Sequence, residues 1–405
     1  MNDFTSITAP GVDEIDPMRL VWPGQNKDKA LLNKGVDELA VHVHRLGASD
    51  LHLQAREPAK INLHGRWFPV MTRPLMELEI HHAMIHLYGA GANAWLLDGN
   101  DFTIGHTVKV KAQDDGRFRI GSHRVLADGK DERYRFRWQG AGVKIYGANS
   151  CQLTARIVEQ IPPRLADLDL EPGILEYHKP PNGLVLITGG TSQGKTRLLA
   201  GVTRGYLEDP DFHGKILEFA NPYEFEFDDL SGPTSMYAVS DIPSNYKTGA
   251  MAMRGALHRA PRVIIAPEIR DMVSAQFALE AAQTSHTVYA TVHTNTVAET
   301  MQRILFMFPL NEREERAVAL VQSLRLIVSC KLVPSCDGRR IQLREFLPFT
   351  ATLRRQLLDK PYTHWPFFCE QMLNTAGQSF VTAAETAHDA GKLSEDVALP
   401  FLEEH

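Results

Sequence analysis

Gly189-Gly190-Thr191-Ser192-Gln193-Gly194-Lys195-Thr196 sets glycines, a lysine and a hydroxyl at the spacing GxxxxGK[ST]. Glycine permits the tight turns that aim consecutive backbone N–H groups at one point, and a helix starting at the lysine adds its own unsatisfied N–H groups. Such a loop is a cradle for phosphate oxygens. Lys195 is placed to reach the β- and γ-phosphates of ATP, and the Thr196 hydroxyl to ligate Mg2+. The surroundings agree: an apolar run over 184–188 predicts a buried strand before the loop, and helical spacing follows over 195–207.

A cradle implies only that a nucleoside triphosphate binds. Open α/β sheets collect their ligands at the C-terminal ends of their strands, so the polar residues that follow other apolar runs are the candidates for chemistry. The run 215–219 leads into Ala220-Asn221-Pro222-Tyr223-Glu224, the run 263–266 into Pro267-Glu268-Ile269-Arg270-Asp271, and the run 287–292 into His293. One of Glu224 and Glu268 can orient and polarise an attacking water while the other holds Mg2+ through its water shell; Glu268 is assigned the latter role as well as a catalytic one. His293 is positioned to sense the γ-phosphate. His286 stands at the opposite end of the same run, where a hydrogen-bonded core histidine is the competing reading.

These positions need a parallel sheet covered on both faces, which is what apolar runs alternating with helical segments at 195–207, 272–284, 297–307 and 311–329 predict. Asp337-Gly338 reads as a hairpin turn, and 350–405 as helical with an acidic, solvated end. Ahead of this region the rhythm differs. Helical spacing through Leu32, Val36, Leu39, Val43 and Leu46 gives way to strand-like alternation, including Arg133-Tyr134-Arg135-Phe136-Arg137, with the arginines on one face. The proline-rich stretch Ile161-Pro162-Pro163 marks a boundary. The organisation expected is a leader over 1–30, a small α+β domain over 31–158, a linker over 159–168, a P-loop α/β domain over 169–348 and a helical region over 349–405.

Of the 405 residues, 43% are hydrophobic and 23% charged, which excludes wholesale disorder and collagen-like architecture. A net charge of −6 argues against a generally cationic nucleic-acid binder. The chain lacks an 18-residue apolar run and a signal-like start, so it is expected to be cytoplasmic, touching a membrane only peripherally. Cys151, Cys330, Cys336 and Cys369 form no CxxC pair and suit a reducing compartment.

With these motifs assembled, the sequence resembles the secretion-ATPase superfamily of PilT-type pilus-retraction motors and type IV secretion traffic ATPases, and within it the DotB/TraJ-like branch of type IVB secretion and plasmid conjugation. The resemblance covers roughly 40–348. It rests on Gly47-Ala48-Ser49-Asp50-Leu51-His52-Leu53, on Arg135-Phe136-Arg137, on Arg156, on Pro222-Tyr223-Glu224, on Glu268-Ile269-Arg270-Asp271 and on His286 and His293. It implies a PAS-like N-terminal domain joined to a RecA-like ATPase domain, assembled as a homohexamer that works on an inner-membrane complex. It further implies that ATP lies between the two domains, with Arg135, Arg137 and Arg156 supplying charge to the triphosphate. Arg117-Phe118-Arg119 mimics the arginine motif, but the spacing of 135–137 to Arg156 suits the family better.

Three departures stand out. Ala220 and Asn221 occupy positions where the family places acids, Pro267 replaces the glycine before the Walker B glutamate, and Ser285 replaces a glycine before His286. They motivate a second reading, an ATP-binding scaffold of the same machinery with weak turnover. A small-molecule kinase would need an acceptor lid that the sequence does not suggest, and a DNA-translocating motor is disfavoured by charge.

Overall fold

The computed structural model describes residues 17–26, 31, 34–63, 65–112, 118–121, 131–158, 161–220, 223–227, 230, 232–242, 245–266 and 268–403. The chain divides into two compact units, 1–160 and 161–405.

Unit 1 is built on seven strands: β1 (Asp50–Gln54), β2 (Lys60–Leu63), β3 (Arg66–Pro69), β4 (Phe102–Ala112), β5 (Phe118–Gly121), β6 (Asp131–Ile145) and β7 (Ala148–Val158). They form one antiparallel sheet in the order β3-β2-β1-β7-β6-β4-β5. Alternation in β6 works as expected for Tyr134, Phe136 and Trp138, which all enter the core. On the opposite face Arg135 is also buried, at 4% exposure, whereas Arg133 and Arg137 are half-buried. The helix Gly35–Arg45 lays Val36, Leu39, Ala40 and Val43 into the same core, matching its 3.6-residue spacing.

Of the leader expected over 1–30, residues 1–16 and 27–30 lie outside the described residues. Residues 17–26 are packed: Trp22 is 4% exposed and donates its backbone N–H to Val70 O at 2.8 Å. Gln25 Oε1 accepts the Thr72 N–H at 2.6 Å. An indole of this size buries enough apolar surface to offset the ordering of a short segment.

Unit 2 has the strands β8 (Gly183–Thr188), β9 (Gly214–Ala220), β10 (Ser235–Asp241), β11 (Val263–Ile265), β12 (Thr287–Val292), β13 (Leu324–Pro334) and β14 (Arg340–Pro348). Their order is β10-β9-β11-β12-β8-β13-β14, parallel except for the β13–β14 hairpin. Every residue of β8 is buried, and its side chains divide by period two. Leu184 and Leu186 join the cluster around helix Met272–Gln283. Val185 and Ile187 join the one around helix Lys195–Leu207. A sheet covered on both sides is therefore the reason these strands read as continuous apolar runs.

Four features of unit 2 depart from the sequence reading. The helix expected over 311–329 ends at Ser323, and Leu324 begins β13. Leu324, Ile327 and Val328 fit a helical period, but the β-branched run pairs with β8 and is buried on both faces, which decides for strand. β10 and the helix Gly249–Leu257 were not foreseen, because β10 is a half-exposed edge strand without an apolar run. Of the expected linker, 159–160 lie outside the described residues, whereas Leu165–Leu168 is a 3-10 turn whose Leu168 packs with unit 2. The acidic tail is solvated on one side only: Asp389, Glu395, Asp396 and Glu403 are exposed, whereas Leu393, Ala398 and Phe401 are buried, and Phe401 and Leu393 pack with Ala383 and Ala384 of the helix Phe380–Asp389.

Candidate active site

The cradle forms where β8 ends. Gly189, Ser192 and Gly194 take φ of 138°, 61° and 83°. A Cβ on Gly189 would lie 2.5 Å from the carbonyl oxygen of Cys330, so the close approach of β13 admits only glycine there. The Gln193 side chain does not face the loop's concavity. Its Oε1 accepts the Leu332 N–H at 2.5 Å while its backbone oxygen accepts from Gln342 Nε2 at 2.8 Å, tying the loop to the β13–β14 hairpin. No side chain caps the helix Lys195–Leu207, whose N-cap is Gly194, so its leading N–H groups remain for an anionic ligand. Thr191, Ser192 and Thr196 are exposed along this edge, and Gly190 lies between them and β8.

Lys195 is 8% exposed and donates from Nζ to the carbonyls of Gly189 and Gly190, each at 2.7 Å. Its Nζ also lies 3.3 Å from His293 Nδ1. An ammonium has no acceptor, so Nδ1 must be the unprotonated nitrogen in that contact. The proton then sits on Nε2, which is 2.8 Å from Glu268 Oε1. A hydrogen-bonded line thus runs Lys195–His293–Glu268. Burial lowers the Lys195 pKa below the ordinary lysine value, and the carboxylates of Glu268 and Glu224 pull the other way.

The sheet brings these groups together by register. Thr188 pairs with Val292, which sets Gly189 and His293 side by side one residue beyond the two strands. Glu268 is delivered by the bridge between Ile269 and Val292, with Ile269 N donating to Thr291 O at 2.8 Å. Ser329 Oγ holds Asn295 O at 2.8 Å, and Thr294 Oγ1 meets Thr300 Oγ1 at 2.7 Å, fixing the turn after His293. Phe225 and Phe227 are buried on either side of Glu226, anchoring the segment that carries the half-buried Glu224. Asn221, Pro222 and Pro267 lie outside the described residues.

His286 is not brought to the cradle. It precedes β12, its backbone oxygen accepts from Gly183 N at 2.9 Å, and its Nδ1 lies 3.0 Å from Thr284 Oγ1. The six extended residues of β12 separate it from His293, seven steps or about 23 Å. One strand cannot present both ends to one phosphate group, so the sequence assignment of His286 to the nucleotide is not met within this unit.

An acid that sequence reasoning missed stands nearby. Asp241 ends β10 in register with Ala220 and accepts the Tyr223 N–H at 3.1 Å. Where the family pattern wants acids before Glu224, this chain has alanine and asparagine, and the neighbouring strand supplies a carboxylate to the same loop. Recognising β10 as a strand would have been the signal.

The arginine candidates belong to unit 1. Arg137 and Arg156 face each other across β6 and β7, and Asp50 pairs with Arg156 across β1 and β7. Arg156 Nε donates to Asp50 Oδ1 at 3.1 Å. Asp50 is the acid of the Gly47–Leu53 motif, so two separately recognised stretches meet here. All four cysteines are free. Burial pushes the thiols of Cys330 and Cys369 up to about 12 and that of Cys151 to about 11, which removes them from nucleophilic roles.

The chain is similar to known secretion and pilus ATPases. A family model described as type II/IV secretion system protein matches residues 166–377. The crystal structure of the Legionella pneumophila ATPase DotB superposes with a TM-score of 0.78 at 32% identity, covering 91% of this chain and 95% of that one. The Yersinia pseudotuberculosis ATPase DotB gives the same TM-score at 26% identity, covering 94% of each chain. The type IV pilus retraction ATPase PilT of Pseudomonas aeruginosa is 28% identical over 323 residues, 79% of this chain and 84% of its own.

Proposed function

The chain belongs to the type II/IV secretion system protein family, is an ATPase of the secretion and pilus-motor kind, and on that premise we propose that it drives a type IVB secretion or conjugative apparatus as a homohexamer at the inner membrane. The observation that carries the ATP-driven part is the Lys195–His293–Glu268 line, which joins the phosphate-binding loop to the end of the next strand but one. The inner-membrane and type IVB parts rest on the likeness to the two DotB ATPases. No helix among the described residues is long and apolar enough to cross a membrane, so attachment in this reading is through partners or the surface.

The residues fit a magnesium-bound nucleotide: glycines stand where a Cβ would obstruct, a hydroxyl lies exposed at Thr196 and the carboxylates of Glu268 and Glu224 act on the charge of the lysine. Bound Mg2+ supplies charge neutralisation between the phosphates. Lys195 exchanges the carbonyls of Gly189 and Gly190 for phosphate oxygens. Thr196 offers its hydroxyl to the cation, while Glu268 holds the cation's water. Glu224, on its phenylalanine-anchored segment, orients and accepts a proton from the attacking water. His293 registers whether Lys195 is engaged by phosphate, because both compete for the same ammonium. Arg135, Arg137 and Arg156 are assigned to the triphosphate on the strength of the family resemblance, and loss of the γ-phosphate releases them.

The second reading, a nucleotide-gated scaffold with slow turnover, is favoured by Ala220 in place of an acid at the end of β9. Steady-state phosphate release separates the two. Turnover that Lys195→Ala and Glu224→Gln abolish supports the motor; a parent rate equal to that of Lys195→Ala leaves the scaffold. Light scattering with and without ATP tests the ring, and a monomer under every nucleotide condition rejects it.

A further inference from the structure

Asp37, His86 and His106 come from three separate elements of unit 1 and converge on one point. Asp37 lies in the first turn of helix Gly35–Arg45, His86 in the last turn of helix Glu77–Tyr88, and His106 within β4. The carboxylate is 6% exposed. His86 Nε2 is 3.0 Å from its Oδ2 and His106 Nε2 is 2.7 Å from its Oδ1. The two rings stand edge to face with centroids 5.6 Å apart, and the three donor atoms lie within 4.8 Å of one another. The imidazole side chains keep 25% and 23% of their surface exposed, so solvent reaches the cluster from their side.

We propose that these three residues form a binding site for a divalent transition-metal ion of the zinc class, clamping the two helices to the sheet of unit 1. The chemistry of the donors selects the ion. Two imidazoles and one carboxylate suit Zn2+, Co2+, Ni2+ or Fe2+ and offer too few oxygens for Ca2+ or Mg2+. Geometry is close to what such an ion needs. Ligand atoms at about 2.0–2.1 Å from a tetrahedral ion sit about 3.3 Å apart, so the 3.0 and 2.7 Å contacts have to open by about 0.3 and 0.6 Å while the widest donor separation, within 4.8 Å, closes toward the same value. Both histidines approach through Nε2, so when the ion takes its place the Nε2 proton goes to solvent from a charged ring or reappears on Nδ1 in a neutral one. The fourth position opens toward solvent on the imidazole side and takes water. A dication compensates the charge of the buried Asp37 carboxylate in place of the two ring N–H donors that now face it. The adverse group is Lys34, whose charge acts on His86. It lies one turn ahead of Asp37 on a flexible stem and can swing into solvent.

The test uses the full chain without a histidine tag, stripped by chelator and titrated with Co2+ as the probe. The expected result is d–d absorption that saturates at one ion per chain and is bleached by Zn2+, with an unfolding temperature raised by about 5 °C or more near saturation. His86→Gln and His106→Gln keep an N–H donor for Asp37 but remove the imidazole. Each should lose Co2+ affinity by more than the roughly 10–100-fold that loss of a supporting partner gives, with an unchanged circular dichroism spectrum. Absence of both absorption and stabilisation in the parent overturns the proposal, leaving a hydrogen-bonded clip only. So does absorption that survives in the doubly substituted His86→Gln/His106→Gln chain.

Discussion

His293 Nδ1 lies 3.3 Å from Lys195 Nζ, while the other nitrogen of the same ring lies 2.8 Å from Glu268. A residue just past the end of β12 is therefore in contact with the lysine that opens the helix Lys195–Leu207. The two are linked because parallel pairing of Thr188 with Val292 sets the following residues abreast.

If His293 couples the lysine to Glu268, His293→Gln should lower kcat about 10- to 100-fold while leaving ATP affinity within about threefold. Phosphate release and calorimetry on one preparation check this. Unchanged turnover rejects the coupling.

Lys195→Ala should abolish ATP binding, because it removes the one ammonium that the loop encloses. Glu268→Gln and Glu224→Gln should instead bind ATP and lose about 100- to 10,000-fold in kcat. Calorimetry in magnesium buffer distinguishes the classes. His286→Gln is the control: at the far end of β12, it should leave nucleotide affinity within about twofold.

Gly189→Ala should destabilise unit 2 by about 1–3 kcal/mol, since the new Cβ meets backbone at 2.5 Å and φ is 138°. Gly190→Ala meets only Gln193 Cγ, at 3.5 Å, and should leave stability nearly unchanged. Urea midpoints of the two variants decide. Equal midpoints would mean the loop relaxes freely.

Glu345 is 5% exposed and accepts the Val297 N–H at 2.7 Å. Burial pushes its pKa up to about 7, from 4.5. The folded state holds this proton more tightly than the unfolded state, so stability should fall as pH rises from 4.5 to 7 and level off above. The amount is about 3 kcal/mol from this group. Glu345→Gln keeps an acceptor for Val297 and removes the titration. The variant should therefore gain on the parent as pH rises through that window, read from unfolding free energies. A constant difference across pH rejects the buried-acid account.

Sequence alone determined the phosphate loop and the parallel strands β8, β9, β11 and β12. Glycine spacing and apolar runs are local signals, and a strand buried on both faces cannot hide its composition. Glu224, Glu268 and His293 were legible for the same reason, as polar residues directly after such runs. Tertiary structure alone decided the rest. Edge strand β10 has no apolar run, so Asp241 beside Ala220 became visible only through pairing. β13 carries a helix-compatible spacing that its pairing with β8 overrides. His286 and His293 stand at opposite ends of one apolar run, and the extended strand Thr287–Val292 fixes how far apart they are held. Asp37, His86 and His106 are far apart in the chain, and no local pattern marks them. Their meeting depends on how two helices and a strand pack, which is a property of contacts rather than of spacing.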